Sequence, residues 1–497
     1  MSKATRIGLI FLACSLLFMS GLLFILARSR FDQGCAELPD GSTIGAYPIA
    51  GLTDEQIVEG SEAIYNSPIA VSYLENEIQL SAPEIGLTLV DSDAIRRDLQ
   101  AARSGQCGRG AFLSALFGKK DVQPIQIEIH CSAEKAPVRS WLEREVIPHY
   151  DSEPLSAQPN TGGVGFYPSR EGRKMNVDAA VERIAEALCA VSGRSAAIPV
   201  RTVAAPPPVL DNLAIQVRSV IDQLQDAGQI TEVVLIDPKT EAGFDIARQN
   251  RADVPPEISF TAASTIKVPV MISSFIRMDD EPDALTTRQL TLMITESKND
   301  QTDWMMENHA GGNLAPLTIT EDMRKLGLEN VFLAGYFYMG APLLQDYRTP
   351  ANSRVDIDLK PDRYNQTTAS DMAKLMEGLY RCAENGTGLL IETFPEALTQ
   401  RECVMMVDLL KNNKLPYLIT AGIPDSVEIA HKHGWIEESD GLLHTMSNIA
   451  IVFSPNGDYI LSIYTWHPTN LVFENGNRLF SAISNAVYNY FNPNLER

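Results

Sequence analysis

Histidine, tryptophan and cysteine are scarce in this 497-residue chain, which holds seven His, four Trp and seven Cys. No Cys-x-x-Cys pair and no clustered histidine pattern suggests a metal site, so neither a metal nor another cofactor is expected. Positive charge is in the minority: 41 Lys and Arg face 63 Asp and Glu, a net charge of −22. Such a chain repels phosphate backbones, which argues against nucleic acid as a partner. Blocks of like charge long enough to form a tail are missing. Long apolar runs are rare too, and the one that stands out lies near the start. Residues Ile7–Ala27 run 21 positions without a charge, long enough to cross a bilayer as a helix and longer than the roughly 7–15-residue core of a cleaved signal peptide. Residues 1–30 therefore read as an uncleaved single-pass membrane anchor.

What remains is globular in composition, with 45% apolar residues, and too long for one ordinary domain. Setting aside Cys14 in the apolar run leaves Cys35, Cys107, Cys131, Cys189, Cys382 and Cys403. Six is an even number, which suits disulfides in an oxidising compartment. Their pairing stays open, although Cys382 and Cys403 bracket a short helical stretch and form the most natural pair. Residues 31–201 contain a weak repeat, IQLSAPEIGLTLVDSDAIRRDL at 78–99 and VGFYPSREGRKMNVDAAVERI at 164–184. Each copy reads as a small α+β module with a helix starting near Asp91 or Asp93 in one and Asp178 in the other. The stretch TVAAPPPV at 202–209 reads as a stiff linker. From residue 210 onward the pattern gives a helix over 212–227, a hairpin of strands 232–237 and 244–248, a second hairpin of 448–453 and 459–465 across Ser-Pro-Asn-Gly-Asp, and a closing helix over 477–490. Strands at both ends around a helical middle predict an α+β domain in three layers, one antiparallel sheet flanked by helices.

Three short groups carry the chemistry of residues 210–497. FTAASTIKVPVMISSF at 260–275 places Ser264 and Lys267 in an otherwise apolar run, although lysine rarely consents to burial. Ser297-Lys298-Asn299 follows an apolar helical patch, and Lys432-His433-Gly434 precedes the second hairpin. In this order the groups resemble the S-x-x-K, S-x-N and K-T-G motifs of the class A β-lactamase and penicillin-binding protein superfamily. The Ala-Ala-Ser-Thr-Ile-Lys-Val-Pro block, Asp303, the Gly311-Gly312 pair, QTTASDMAKLM at 366–376 and the 431–435 block extend the likeness over about 210–495. The resemblance implies a β-lactamase/DD-peptidase-like domain whose Ser264 attacks an amide or β-lactam carbonyl and passes through an acyl-enzyme. Spacing i, i+3 sets Lys267 on the helix face of Ser264, where it acts as the base. Desolvation and a neighbouring Lys432 lower its pKa. Ser297 passes a proton to the leaving nitrogen, Asn299 binds the substrate amide, and Gly434 leaves a strand edge open. His433 takes the place of a hydroxyl that normally holds a substrate carboxylate, and Lys298 that of an acidic residue.

The superfamily's deacylating glutamate has no match. Ungapped counting from Met372 brings Asn352 to its place, with Asp346, Asp356 and Asp358 nearby; Asn352 and Asp356 are the expected deacylation region. Residues 40–200 in turn resemble the repeat domains of W-type vancomycin-resistance-associated surface proteins, which implies peptidoglycan binding or a spacer. The resulting expectation is a serine hydrolase held at the cell membrane with its catalytic domain outside the cytoplasm. Its partners are a peptidoglycan peptide or a β-lactam-like small molecule. The alternative is a degenerate protein that binds or senses wall fragments without efficient turnover.

Overall fold

A computed structural model describes residues 3–35, 37–117, 123–438 and 440–493. The chain forms two compact units, one of Met1–Leu155 with Glu171–Ala205 and the other of Ser156–Arg170 with Pro206–Arg497.

In the first unit the apolar run lies within a helix, Lys3–Cys35, whose 18-residue apolar window has mean hydropathy 2.7 with none of it buried. By length and composition it is one helix able to cross a membrane. The two sequence repeats do not fold as separate modules. One core runs from Leu38 to Ile198, and the strand Ile69–Tyr73 pairs antiparallel with Asn76–Leu80 and parallel with Ser195–Ala197. The shared sheet lets both stretches bury one core. Asp91 caps the helix Ser92–Gln106 by accepting from the amides of Asp93 and Ala94. In the second repeat the cap is Asn176, and Asp178 sits in the first turn of Val177–Cys189. Cys131 and Cys189 form a disulfide, and Cys107 is disulfide-bonded as well; the Cys35 side chain lies outside the described part. Cys14 is free and exposed.

The second unit is built on a six-stranded antiparallel sheet. Its strands run, side by side, Ala252–Val254, Gly243–Gln249, Ile230–Ile236, Tyr459–Trp466, Leu443–Phe453 and Glu428–Glu437. Both hairpins of the sequence are present, the second with longer strands than its alternation suggests. Side chains alternate between two apolar layers, as the period of two requires. Val234, Ile449, Ile451 and Ile460 face the helices Lys267–Phe275, Ala284–Thr295, Ala369–Asn385 and Gln400–Lys411. Val233, Ala450, Val452 and Leu461 face Leu210–Leu224 and Phe473–Phe491. This is a mixed α+β, three-layer, β-lactamase/DD-peptidase-like fold. Cys382 is bonded to Cys403, tying two helices of one layer together.

Two boundaries differ from the sequence reading. Val200–Val203 is a strand paired with Gly172–Met175, so the irregular stretch between the units begins only after Val203. Residues 156–170, which read as part of the second module, belong to the second unit: Asn212 Nδ2 donates to the Ala157 carbonyl at 2.9 Å, and Ser219 Oγ and Gln223 Nε2 to that of Thr161 at 2.9 and 2.8 Å.

Candidate active site

Ser264 stands in a short 3-10 turn, Ala263–Ile266, just ahead of the helix Lys267–Phe275. Helix regularity therefore starts at Lys267, and Pro269 is its third residue. The amides of the first four helical residues have no intrahelical partner anyway, so Pro269 forfeits nothing. Ala263, immediately before the serine, has φ 48°, and Ser297 has φ 58°. Both are left-handed conformations that cost a non-glycine residue on the order of 1–3 kcal/mol and need a rigid surround to persist. Here that surround is the sheet edge on one side and the buried helical layer on the other.

The three groups converge. Lys267 Nζ lies 2.8 Å from Ser264 Oγ, 2.8 Å from Asn299 Oδ1, 3.0 Å from the Ser297 carbonyl and 3.4 Å from Ser297 Oγ. Lys432 Nζ, from the edge strand Glu428–Glu437, reaches Ser297 Oγ at 2.9 Å and the His433 carbonyl at 3.1 Å. Ser297 thus bridges two amines. Both lysines are fully buried. Burial pulls the Lys267 pKa down to about 7, opposed by Asp303, one turn beyond Asn299 on the same helix. Burial, and then the charge of Lys267, push Lys432 well below the usual amine range. Repulsion thus acts on Lys432, whereas at Lys267 burial alone lowers the pKa. The Lys267 amine also lies 5.2 Å from the centre of the Phe337 ring, and the Phe337 amide donates to Asp303 at 2.9 Å.

Gly434 has a steric reason. A Cβ there would stand 2.7 Å from Ser447 Oγ and 3.0 Å from both the Ala262 carbonyl and the Ser264 amide nitrogen. The strand edge therefore abuts the turn that carries Ser264, and any side chain at 434 forces them apart. His433 stacks on Trp435 with ring centres 4.6 Å apart. Burial, followed by the charges of Lys432, His431 and Lys267, brings its pKa down to about 2. His433 is therefore neutral, and a carboxylate would meet it only as an uncharged hydrogen-bond donor. Asn413 Nδ2 lies 3.4 Å from its Nδ1; a donor there leaves the hydrogen on Nε2.

Ser264, Ser297, Asn299 and His433 line a cleft of about 660 Å³. Asn352 and Asp356, the expected deacylation residues, do not. The Asn352 side chain is used up within its own loop, accepting from the Thr349 amide and donating to Tyr347 and Gln366. Asp356 is held by Arg354 at 2.6 Å, and that hydrogen-bonded pair lowers its pKa to about 2. Ungapped counting does not reach the cleft because the 334–364 stretch is irregular and tied to distant residues such as Pro256, Asp303 and Asn330, so position along it does not give position in space. The cleft carboxylates are instead Glu296 and Asp362, and its aromatic wall is Tyr336, Phe337, Tyr338, Tyr364 and Trp435. No motif flagged Asp362 or the tyrosines; the dense run Tyr336-Phe337-Tyr338 was the one available signal.

The sequence profile of a family described as "Beta-lactamase enzyme family" matches residues 277–491. The match takes in Ser297, Asn299 and Lys432 and begins after Ser264 and Lys267. A search of curated proteins finds none that matches. Among solved structures, PBP-A is similar at 22% identity over 58% of this chain and 99% of that one, TM-score 0.40. An ancestral class A β-lactamase (GNCA) is 18% identical over 55% and 98%, TM-score 0.40. The β-lactamase from Sphaerobacter thermophilus DSM 20745 is 16% identical over 57% and 97%, TM-score 0.41. The matched segment, which lies within the second unit, is thus similar to the β-lactamase enzyme family in sequence.

Proposed function

We propose that this protein is a serine acyl-transfer enzyme that attacks an amide or β-lactam carbonyl through Ser264. The observation that carries the reading is the 2.8 Å approach of the Lys267 amine to Ser264 Oγ where burial brings its pKa to about 7. A neutral amine takes the hydroxyl proton as Oγ bonds to the carbonyl carbon. The Ser264 amide and one from the abutting strand edge hold the oxyanion. The carbon–nitrogen bond then breaks, and the leaving nitrogen takes a proton through Ser297 Oγ, which Lys432 and Lys267 both reach. Asn299 orients the substrate amide. Water later cleaves the Ser264 ester, releasing the acid and restoring the hydroxyl. With Asn352 and Asp356 out of the cleft, antibiotic turnover is slow. That same observation supports the second reading, a penicillin- or wall-fragment-binding protein that acylates and stalls.

In this reading the apolar helix anchors the chain in the cell membrane, the disulfides mark the extracytoplasmic side, and residues 40–200 bind peptidoglycan or hold the hydrolase unit off the membrane. Intact-protein mass spectrometry after incubation with a fluorescent penicillin tests the chemistry. The expected result is one adduct on the wild type and none on Ser264→Ala. An unlabelled wild type, or an adduct that survives the substitution, rules the proposal out; the adduct's lifetime separates slow hydrolysis from stalled acylation.

A further inference from the structure

The cleft has an unusual charge balance. Lys267 and Lys432 are buried behind its wall, and the acidic side chains that line it are Glu296 and Asp362. Glu296 is balanced by Lys298 at 3.7 Å. Asp362 is not balanced: among the described residues no lysine or arginine lies within ion-pair distance of it, and neighbouring Arg363 pairs with Asp346 at 3.2 Å instead. Its position is fixed nonetheless. The Asp362 amide donates to Thr261 Oγ1 at 2.9 Å, and its carboxylate accepts from the Tyr364 amide at 3.0 Å and from Asn365 Nδ2 at 3.1 Å. Burial pushes its pKa up, and Glu438 is close enough to feel its charge.

A carboxylate drawn half out of water is normally balanced by a cation; Asp362 has two donors from its own segment, the Tyr364 amide and Asn365 Nδ2, and no cation among the described residues. Beside it Asn365, 6% exposed and also lining the cleft, has a buried Oδ1 with no hydrogen-bond partner. A carboxylate without a countercharge and an amide oxygen without a donor, in a cleft also lined by Tyr336, Tyr338, Tyr364 and Trp435, match one ligand chemistry. A primary ammonium brings three N–H donors, a countercharge and an attraction to aromatic rings. A carboxylate brings none of these and meets Asp362 with like charge.

We propose that this corner of the cleft recognises an ammonium group on the acyl donor, with Asp362 as the specificity-determining residue and Asn365 as the second acceptor. The inference rests on the acyl-enzyme reading of Ser264 and names its substrate class: amides or esters bearing an amine, such as peptides with a free basic side chain, in preference to anionic ones.

The test is a ladder of p-nitrophenyl esters of equal reach, made from 6-aminohexanoic acid (cationic), hexanoic acid (neutral) and adipic acid (anionic monoester). It is read as kcat/KM on the full chain. The expected order is cationic, neutral, anionic, with the cationic ester about tenfold or more ahead of the neutral one. Asp362→Asn is expected to bring those two within about threefold of each other. Equal rates along the ladder, the reverse order, or a cationic preference untouched by Asp362→Asn overturns the inference. Should that variant not fold, competition on the wild type decides: hexylamine must slow Ser264 acylation by the neutral ester more than hexanoate does, and the opposite ranking overturns it. Failure of the underlying reading looks different, since the neutral ester then releases p-nitrophenol no faster with the wild type than with Ser264→Ala.

Discussion

At the scale of the residue, the proposed chemistry turns on Lys267. Contacts to two oxygens at 2.8 Å favour a charged amine, and full burial opposes it. Desolvation is the larger effect and brings the pKa to about 7. In the proposed mechanism the neutral amine is the base, so the rate of Ser264 acylation is expected to rise with pH through about 7 and level off above it. Lys267→Arg, which stays protonated at every accessible pH, is expected to cost roughly 10²–10⁴-fold in that rate. Stopped-flow acylation between pH 5.5 and 9 checks both statements, and a flat profile would show that another group takes the proton. The fully buried lysine that the sequence places three residues after a serine is thus explained by the groups around it, Ser297, Asn299 and Asp303. None of them is near it in the chain.

At the scale of the element, the two strands that open the second unit carry a buried acid pair. The register sets Val234 opposite Asp245 and Glu232 opposite Ala247, so Glu232 and Asp245 are diagonal neighbours. Glu232 accepts from the amides of Glu257 and Ile258 at 3.1 and 3.0 Å, pinning the segment that leads to the Ser264 turn. Burial raises both pKa values, that of Asp245 to about 6 and that of Glu232 well above the usual carboxylate range. An acid whose folded pKa is raised costs no stability below its unfolded value near 4, and stability is lost as pH climbs through the folded value. Asp245→Asn is therefore expected to gain on the wild type as pH rises from about 5 to 7.5, by on the order of 2 kcal/mol. Melting curves across that range test it, and parallel curves for the two proteins would refute it.

At the scale of the whole molecule, the chain is divided in space differently from its division in sequence. Residues 156–170 leave the first unit, pack on the helix Leu210–Leu224, and return. Phe166 also meets Tyr490 of the closing helix, ring centres 6.3 Å apart. A chain truncated to begin at Pro206, the natural choice from the proline run, discards these contacts. It is expected to melt roughly 5–10 °C below the same unit in the full chain while still acylating at Ser264. Scanning calorimetry of the two decides, and identical transitions would mean the 156–170 segment contributes nothing.

Local order in the chain was enough for most elements of the second unit and for the cluster proposed to react. Alternation gave hairpins over 232–248 and 448–465 and periodicity a helix over 477–490, where the structure has 230–249, 443–466 and 473–491. The motif spacings pointed to Ser264, Lys267, Ser297, Asn299 and Lys432, which the fold brings within hydrogen-bond reach of one another; their roles rest on the proposed acylation. His433 and Gly434 were visible as residues, but their states were not: neutrality at 433 follows from burial among Lys432, His431 and Lys267, and the need for glycine from a serine turn 170 positions earlier. Asn352 and Asp356 were misplaced, and Asp362 and Asn365 overlooked, because an irregular loop has no period from which a side chain's direction can be read. The merging of the two N-terminal repeats was hidden for a related reason. A pairing between strands 69–73 and 195–197 is a long-range contact, chosen by which apolar faces remain to be covered once every local element has formed.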